Sequence, residues 1–466
     1  MKRITHLLSA LFVLAVVCLP SANAQQQTTP PADTQAPPSG SQGQGSAQKE
    51  PASPVLGVVP TITGGLAPNV GDAGGTQSQI KAGVQYSELF DSNFQNSNGT
   101  AGWNAISTFG GHFDLQRSGA NTALLFSYSG GAFIDPKDST LDSSYHQFQT
   151  SETLQFRKLT LQFVDSFSYL PQSSFGFGGG GYGGSPFLGI TILNPSFVPS
   201  QGILSTAANR LSNSVLAQAS YASSQRTAWT FAGSYGLLHF TSPGFLNSAD
   251  YGFSAGYNYQ LTARDVIGAS FLFDATRFSP ALASINNSTI NLNYGRHISD
   301  ALMFQVGIGP QLSQFNPVGV PTTGVLVAWN LNTGLSYLHG RTRTNVSYLH
   351  GVTEGGGVLL GATTDTVAVG VTHPFGTYTT VTGSFGVAGN TALPQAGAVA
   401  NGYTSEFATI GITRKLGQEF SISATYNLTR QTTNGTPCVT AVCGPQVLRH
   451  QIFIGFGWDM RPKPLR

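Results

Sequence analysis

From residue 78 onward, apolar and polar side chains alternate in runs too long for the strands of an ordinary globular sheet. Residues 249–275 show the unit. Tyr251, Phe253, Ala255, Tyr257, Tyr259 and Leu261 alternate with Asp250, Gly252, Ser254, Gly256, Asn258 and Gln260, a period of two that gives a strand one apolar and one polar face. After a break at residues 262–265, Ile267, Ala269, Phe271 and Phe273 alternate with Gly268, Ser270 and Asp274. Two such strands joined by about four residues form an antiparallel hairpin. Each runs to about 11 residues or more, against a globular norm of about 5 to 6. A strand that crosses a bilayer needs about 9 to 11, with lipid-facing and interior-facing side chains in alternation.

The template recurs along the chain, for example in Trp103/Ala105/Phe109/Phe113, Leu159/Leu161/Phe163/Phe167, Trp229/Phe231/Tyr235/Leu237, Val325/Val327/Trp329/Leu331, around Phe407/Thr409, and in Phe420/Ile422/Ala424/Tyr426. It predicts an all-β fold: a single closed antiparallel up-and-down transmembrane β-barrel of about 18 strands, with 16 as the alternative. Predicted connections alternate as strictly as the faces do. Short ones fall at residues 117–119, 157–158, 224–226, 262–265, 296–300, 339–341, 373–376 and 414–419. Long ones rich in Gly, Pro, Asn and Ser fall at 90–101, 134–143, 171–211, 240–248, 277–286, 314–323, 353–362, 389–402 and 431–446. Outer-membrane barrels have short periplasmic turns and longer outer loops, so both ends of the barrel are expected on the periplasmic side.

Composition agrees with a lipid-facing wall. Charged residues make up 9% of the 466, aromatics 11%, and Gly numbers 57, where an ordinary soluble domain is about 25% charged. Residues 1–24 have the form of a secretory signal peptide: Lys2 and Arg3, an apolar run from Leu7 to Leu19, and a small-residue cleavage site at Ala22-Asn23-Ala24. Its removal takes two of the 22 basic residues and none of the 20 acidic ones, leaving 20 of each. A neutral balance argues against a nucleic-acid partner. Residues 25–76, rich in Pro, Gln, Ser and Gly, are expected to form a disordered periplasmic tail, either a spacer or a segment that touches a periplasmic partner. The barrel is then residues 77–460, followed by a short periplasmic tail, 461–466. No other apolar run reaches about 18 residues, so strands must do any spanning.

A leader, a polar tail and one long alternating barrel resemble bacterial outer-membrane porins. Residues 82–94, AGVQYSELFDSNF, resemble the opening strand of the β-barrel porin-2 family, with Tyr86, Asp91 and Asn93 spread wider than in that family's signature. The resemblance implies an outer-membrane channel and assigns no site. By resemblance to porins, whose third outer loop folds inward, Phe175, Phe177, Tyr182 and Phe187 of the long 171–211 connection are candidates to narrow the passage.

If the aromatic faces meet lipid, the opposite faces line the interior. Candidate lining residues are Gln85, Asn104, His112, Asp114, Gln147, Gln149, Gln155, Gln218, Asn291, Asn293, Gln305 and Asn330. Such a face is polar and nearly uncharged, able to donate to and accept from hydroxyls. It suits passive diffusion of small neutral hydrophilic solutes rather than ion selection by charge rings. The partners expected are membrane lipid, such solutes, a homo-oligomeric copy and a periplasmic partner of the tail. No cofactor and no metal is called for.

Two features stand apart from the pattern. Glu152 and Asp165 share the face of Leu154, Phe156, Leu161 and Phe163, and counting back from the turn at Arg157-Lys158 sets them opposite one another. A position near the membrane edge, a bulge, or a covering subunit would each accommodate them. Cys438 and Cys443 lie in the last long connection, where an oxidising compartment favours a local disulfide. Catalytic readings find little support: His112 and Asp114 are two apart on one strand, a spacing that alternation alone produces. A barrel hydrolase would need further groups converging on them. An export port or an anchor for an envelope polysaccharide complex remains the other alternative to a free-standing channel.

Overall fold

The computed structural model describes residues 78–93, 102–136, 142–170, 209–241, 246–279, 283–316, 324–353, 359–393, 402–434 and 446–465. The first nine long strands are β1 (Gln79–Asp91), β2 (Asn104–Ser118), β3 (Thr122–Ile134), β4 (Ser143–Gln155), β5 (Leu159–Leu170), β6 (Arg210–Ala222), β7 (Thr227–Phe240), β8 (Asn247–Gln260) and β9 (Asp265–Ser279). The second nine are β10 (Ser284–Ser299), β11 (Leu302–Asn316), β12 (Leu326–His339), β13 (Thr342–Thr353), β14 (Ala362–Phe375), β15 (Thr379–Ala392), β16 (Gly402–Leu416), β17 (Phe420–Asn434) and β18 (Gln446–Asp459). A two-residue β19 (Lys463–Pro464) extends the sheet against Gln79 and Ile80 of β1.

Each long strand pairs antiparallel with the next in sequence. β18 then returns to β1, from Gly83↔Asp459 to Asp91↔Gln451, and closes the ring. The result is an 18-strand up-and-down barrel. Its long strands have 12 residues (β5, β13) to 16 (β10). At a rise of about 3.4 Å per residue and a tilt of about 40°, even the shortest spans the roughly 30 Å of a bilayer's hydrocarbon.

Alternation sorts side chains as the sequence implies. On β8, Tyr251 and Phe253 are exposed outside, while Ser254 and Asn258 are buried inside. The same division runs round the ring, with Val84, Phe109, Trp229, Leu292, Val327 and Trp329 among the exposed apolar residues. An exterior of this kind is satisfied by lipid and penalised by water. Every short connection lies at one rim, which also carries Gln79 and Asp459, the two ends of the barrel. Gly340, in the turn between β12 and β13, has φ 57°, a conformation that a residue with a Cβ resists.

Strands run further than the apolar pattern suggested. β10 continues to Ser299 with a register shift between His297 and Ser299, so the expected 296–300 turn contracts to Asp300 and Ala301. β14 likewise includes His373 to Phe375. On β16 the outward alternation runs through the neighbours of Phe407 and Thr409, with Ile410 and Ile412 exposed, while Phe407 itself turns inward at 9% exposure. Glu152 and Asp165 do share the outer face, but they do not oppose one another. The Phe156 N–H bonds the Leu159 carbonyl across the turn, and this register sets Glu152 against Phe163 and Asp165 against Thr150. Glu152 sits near the short-turn rim, and Asp165, midway along β5, accepts a 2.8 Å hydrogen bond from Asn213 Nδ2.

The joint that closes the ring is locked at its far end by an ion pair. Asp91 on β1 is fully buried and Arg449 on β18 is 2% exposed. Arg449 Nε donates to both carboxylate oxygens, at 3.1 and 2.9 Å, and its Nη2 donates to one of them. Gln451 Nε2 and the Asn93 N–H, each at 2.9 Å, also donate to the carboxylate. Asp91 and Asn93, two residues of the resemblance in the opening strand, are therefore part of the clasp between the first and last strands. Removing one member of such a pair leaves a buried charge without its partner, at a cost of about 3–5 kcal/mol. Arg449→Met and Asp91→Leu are each expected to lower the urea midpoint of the detergent-folded barrel. The double substitution should lose clearly less than the sum of the two; additive losses would show that the pair does not act as a unit.

Candidate pore lining

All twelve predicted lining residues lie on the inward face, opposite the exposed aromatics, by the pairings of their strands. They gather in patches. Gln85, His112 and Asp114 share the β1–β2 ladder, where Gly83 faces His112. Gln147, Gln149 and Gln155 follow one another up β4. Asn291, Asn293, Gln305 and Asn330 converge on β10–β12, with Asn293 opposite Gly307 and Asn330 opposite Gly309. Gln218 stands apart on β6, between Gln162 and Ala232. Asn104 begins β2 at the long-connection rim. Phe175, Phe177, Tyr182, Phe187, Cys438 and Cys443 lie outside the described residues.

Along the axis the inner face changes character. At the long-connection rim it is apolar: Leu89, Ile106, Phe133 and Tyr145 form one buried cluster, and Phe278, Ile285, Phe315 and Leu393 belong to another. A third cluster, Val164, Leu216 and Ala232, lies deeper on β5–β7. The middle is hydroxyl- and amide-rich. Some of these groups bond across strands, as in Ser168 Oγ to Ser212 Oγ at 2.6 Å, Asn293 Nδ2 to Ser270 Oγ at 3.0 Å, and Thr364 Oγ1 to Asn390 Oδ1 at 2.7 Å. Others keep free acceptor capacity: the side-chain oxygens of Asn287, Asn291, Asn293 and Gln305 have no protein hydrogen-bond partner. Inner charged residues lie at both ends: Lys81, Asp114, Arg343, Lys415 and Asp459 toward the short-turn rim, and Asp91, Arg210, Asp250, Asp274 and Arg449 toward the long-connection rim.

Sequence reasoning missed the apolar zone because it read each inner face as uniform. The signal was present: strict alternation would make the tip residues Leu89, Phe133, Ile285 and Phe315 polar, and none of them is.

Within the described strands the inward charges number five of each sign, and buried Asp135, just past β3, adds a further acid. Asp91, Asp114, Asp250, Asp274 and Asp459 are matched by Lys81, Arg210, Arg343, Lys415 and Arg449. Lys81 Nζ lies 3.4 Å from Asp459 Oδ2, and His112 Nε2 lies 2.9 Å from Asp459 Oδ1. Asp114 instead accepts from Ser127 Oγ at 2.8 Å, so His112 and Asp114 are directed to different partners rather than to each other. Among the described residues no group of three or more His, Cys, Asp or Glu is placed to hold a metal ion.

On the outer face, several polar groups near the long-connection rim are partnered by aromatic rings. Tyr128 Oη and His146 Nδ1 are 2.9 Å apart, and Tyr426 Oη and His450 Nδ1 are 2.8 Å apart. Asp365 meets both Tyr348 Oη and His350 Nδ1 at 2.8 Å. Amphipathic rings at this height form the aromatic girdle of a membrane barrel.

No family model and no curated protein matches the chain, so the likeness to the β-barrel porin-2 family remains one of residues 82–94. Solved structures with a similar architecture include Pseudomonas aeruginosa OpdK with vanillate, at 8% identity and TM-score 0.42, covering 82% of this chain and 99% of that one. Pseudomonas aeruginosa OccK2 (OpdF) aligns at 9% identity and TM-score 0.43, covering 82% and 98%. The FrpB iron transporter from Neisseria meningitidis aligns at 8% identity and TM-score 0.40, covering 82% and 81%. Nothing about solute or site follows for this chain from likenesses of that size.

Proposed function

We propose that this chain is an outer-membrane channel, porin-like, through which small neutral hydrophilic solutes diffuse passively. The observation that supports the reading most is the sorting of the wall: an apolar exterior around an interior of Asn, Gln, Ser and Thr, with acidic and basic residues equal in number on the inward faces of the described strands. A lumen without a charged ring has no device for strong ion selection. The amide and hydroxyl groups of the inner face supply donors and acceptors suited to neutral hydrophilic solutes. In this reading residues 1–24 direct export, both barrel ends face the periplasm, and Cys438 and Cys443 staple the last outer connection.

Stepwise conductance in planar bilayers with little preference between cations and anions is the expected behaviour, together with liposome swelling in small sugars. Asn291→Asp with Asn293→Asp should shift the lumen toward cations. Folded protein that gives no steps would remove the channel reading, and unchanged selectivity in the double variant would remove the role of the β10 amides. The 171–211 connection is assigned, by the same reading, to narrowing the passage through Phe175, Phe177, Tyr182 and Phe187. Its replacement by a short linker should raise unit conductance; an unchanged value would place the connection outside the path.

A further inference from the structure

A near-neutral total charge hides a division along the barrel axis. At the short-turn rim, four consecutive turns adjoin one another through backbone hydrogen bonds. The Gln155 N–H donates to the Asn121 carbonyl, the Ala222 N–H to that of Lys158 and the Gln260 N–H to that of Arg226, each at 2.8 Å. These bonds join the β2–β3, β4–β5, β6–β7 and β8–β9 turns into one continuous arc of the rim.

Every turn of the arc carries a cation. Arg117 ends the outward face of β2, and Arg157, Lys158, Arg226 and Arg264 lie in the turns themselves; all five are exposed. Among the described residues none of the five is ion-paired with a carboxylate. Two acids share the arc on its outer side, Glu152 and Asp265. Asp265 is already engaged, by Thr262 Oγ1 at 2.6 Å, Tyr294 Oη at 2.8 Å and Arg296 Nε at 3.7 Å. The arc ends at the β10–β11 turn, where Asp300 brings the opposite sign. The outer face at the other rim is different. Its cations Arg277 and Arg430 are both occupied, Arg277 Nη1 by Asn286 Oδ1 at 2.9 Å and Arg430 Nη1 by Glu406 Oε2 at 3.4 Å, and Glu88 and Asp365 add negative charge there.

The height of the arc identifies what meets it. Phe156, Tyr221, Trp229 and Leu261 are exposed in or beside the same turns, and they are the last apolar side chains of the wall on this side. Cations one step beyond the hydrocarbon lie in the headgroup layer, where long basic side chains extend their charged ends. Their backbone anchors are fixed: the Arg226 N–H donates to Ser224 Oγ at 3.2 Å and the Arg264 N–H to Thr262 Oγ1 at 3.1 Å. The anions that a phospholipid bilayer sets at that height are phosphodiesters, and guanidinium binds phosphate oxygens in pairs. A zwitterionic headgroup carries its own cation beside the phosphate. An anionic one does not, so a run of unpaired cations favours it.

From this placement we propose that the arc of short turns between β2 and β9 is a binding surface for anionic phospholipid, with Arg117, Arg157, Lys158, Arg226 and Arg264 taking the phosphodiester groups of the leaflet that meets this rim. The surface needs only the closed wall and its outward sorting. It is independent of what passes through the lumen and of which side of the membrane the rim faces.

The test uses the full-length mature barrel in phosphatidylcholine vesicles that hold a trace of spin-labelled phosphatidylglycerol or spin-labelled phosphatidylcholine. Electron spin resonance reads the fraction of label slowed by contact with the protein. Phosphatidylglycerol should be slowed severalfold more than phosphatidylcholine at low salt, and the excess should shrink at high salt. Arg157→Gln, Lys158→Gln, Arg226→Gln and Arg264→Gln together should remove most of the excess, whereas Arg277→Gln with Arg430→Gln at the other rim should leave it in place. Equal slowing of the two lipids by the unmodified barrel overturns the proposal and leaves the arc to another partner, such as an acidic protein. An excess that survives the fourfold substitution, or that is lost with the pair at the other rim, overturns it as well. Should the fourfold variant not fold, Arg157→Gln with Lys158→Gln decides the matter by a partial loss of the excess against none. Conductance of the same preparations reports the axial channel separately, so either reading can fail while the other stands.

Discussion

Backbone hydrogen bonding in a medium without water is the constraint on which the structure depends. An open sheet in hydrocarbon leaves a row of N–H and C=O groups unmet along each edge, and no side-chain chemistry on the faces repairs that. The chain meets the constraint by returning its last long strand to its first. The return has to be specified, because β1 and β18 are the long strands farthest apart in sequence and no turn holds them in register. Asp91, Asn93, Arg449 and Gln451 provide that specification with a buried, hydrogen-bonded carboxylate.

Much of this was legible in the alternation. Period-two runs longer than a globular strand, separated by connections that are short and long in turn, give the number of strands, the handling of the two rims and the sorting of faces. Residues 249–275 alone carry that logic. Where the reading failed or left a face open, it did so at positions whose environment is set by another part of the chain. Around Phe407 and Thr409 the outward parity belongs to their neighbours, with Ile410 and Ile412 meeting the lipid and Phe407 turned inward. Glu152 and Asp165 were set opposite one another, whereas the bond between Phe156 and Leu159 fixes a register that separates them.

The lining was legible as a parity and not as a surface. Polar residues at inner positions of the middle strands could be listed from sequence because alternation alone places them. The gathering of apolar side chains at the long-connection rim could not, since it depends on which strand tips lie at one height. Nor could the ion pairing of Lys81 with Asp459 be found, because the two are brought together only by closure. Pro310 was the clearest unused signal: a proline inside a central strand announces a local break in the ladder. Here the β10–β11 ladder skips Ile290↔Pro310 and Asn291↔Gly309.

Two kinds of inner surface therefore coexist in one wall, a hydroxyl- and amide-rich middle and apolar clusters toward the long-connection rim. Both rest on the claim that odd and even positions of each strand face different media. The most direct measurement is a cysteine scan from residue 251 to 258 of β8 in a background without other cysteines, in bilayers. Each position is read by a water-soluble thiol reagent and, as a fluorescent adduct, by quenching from brominated lipid. The account predicts quenching at 251, 253, 255 and 257 and aqueous labelling concentrated at the positions between them. Quenching or labelling without a period of two would contradict it.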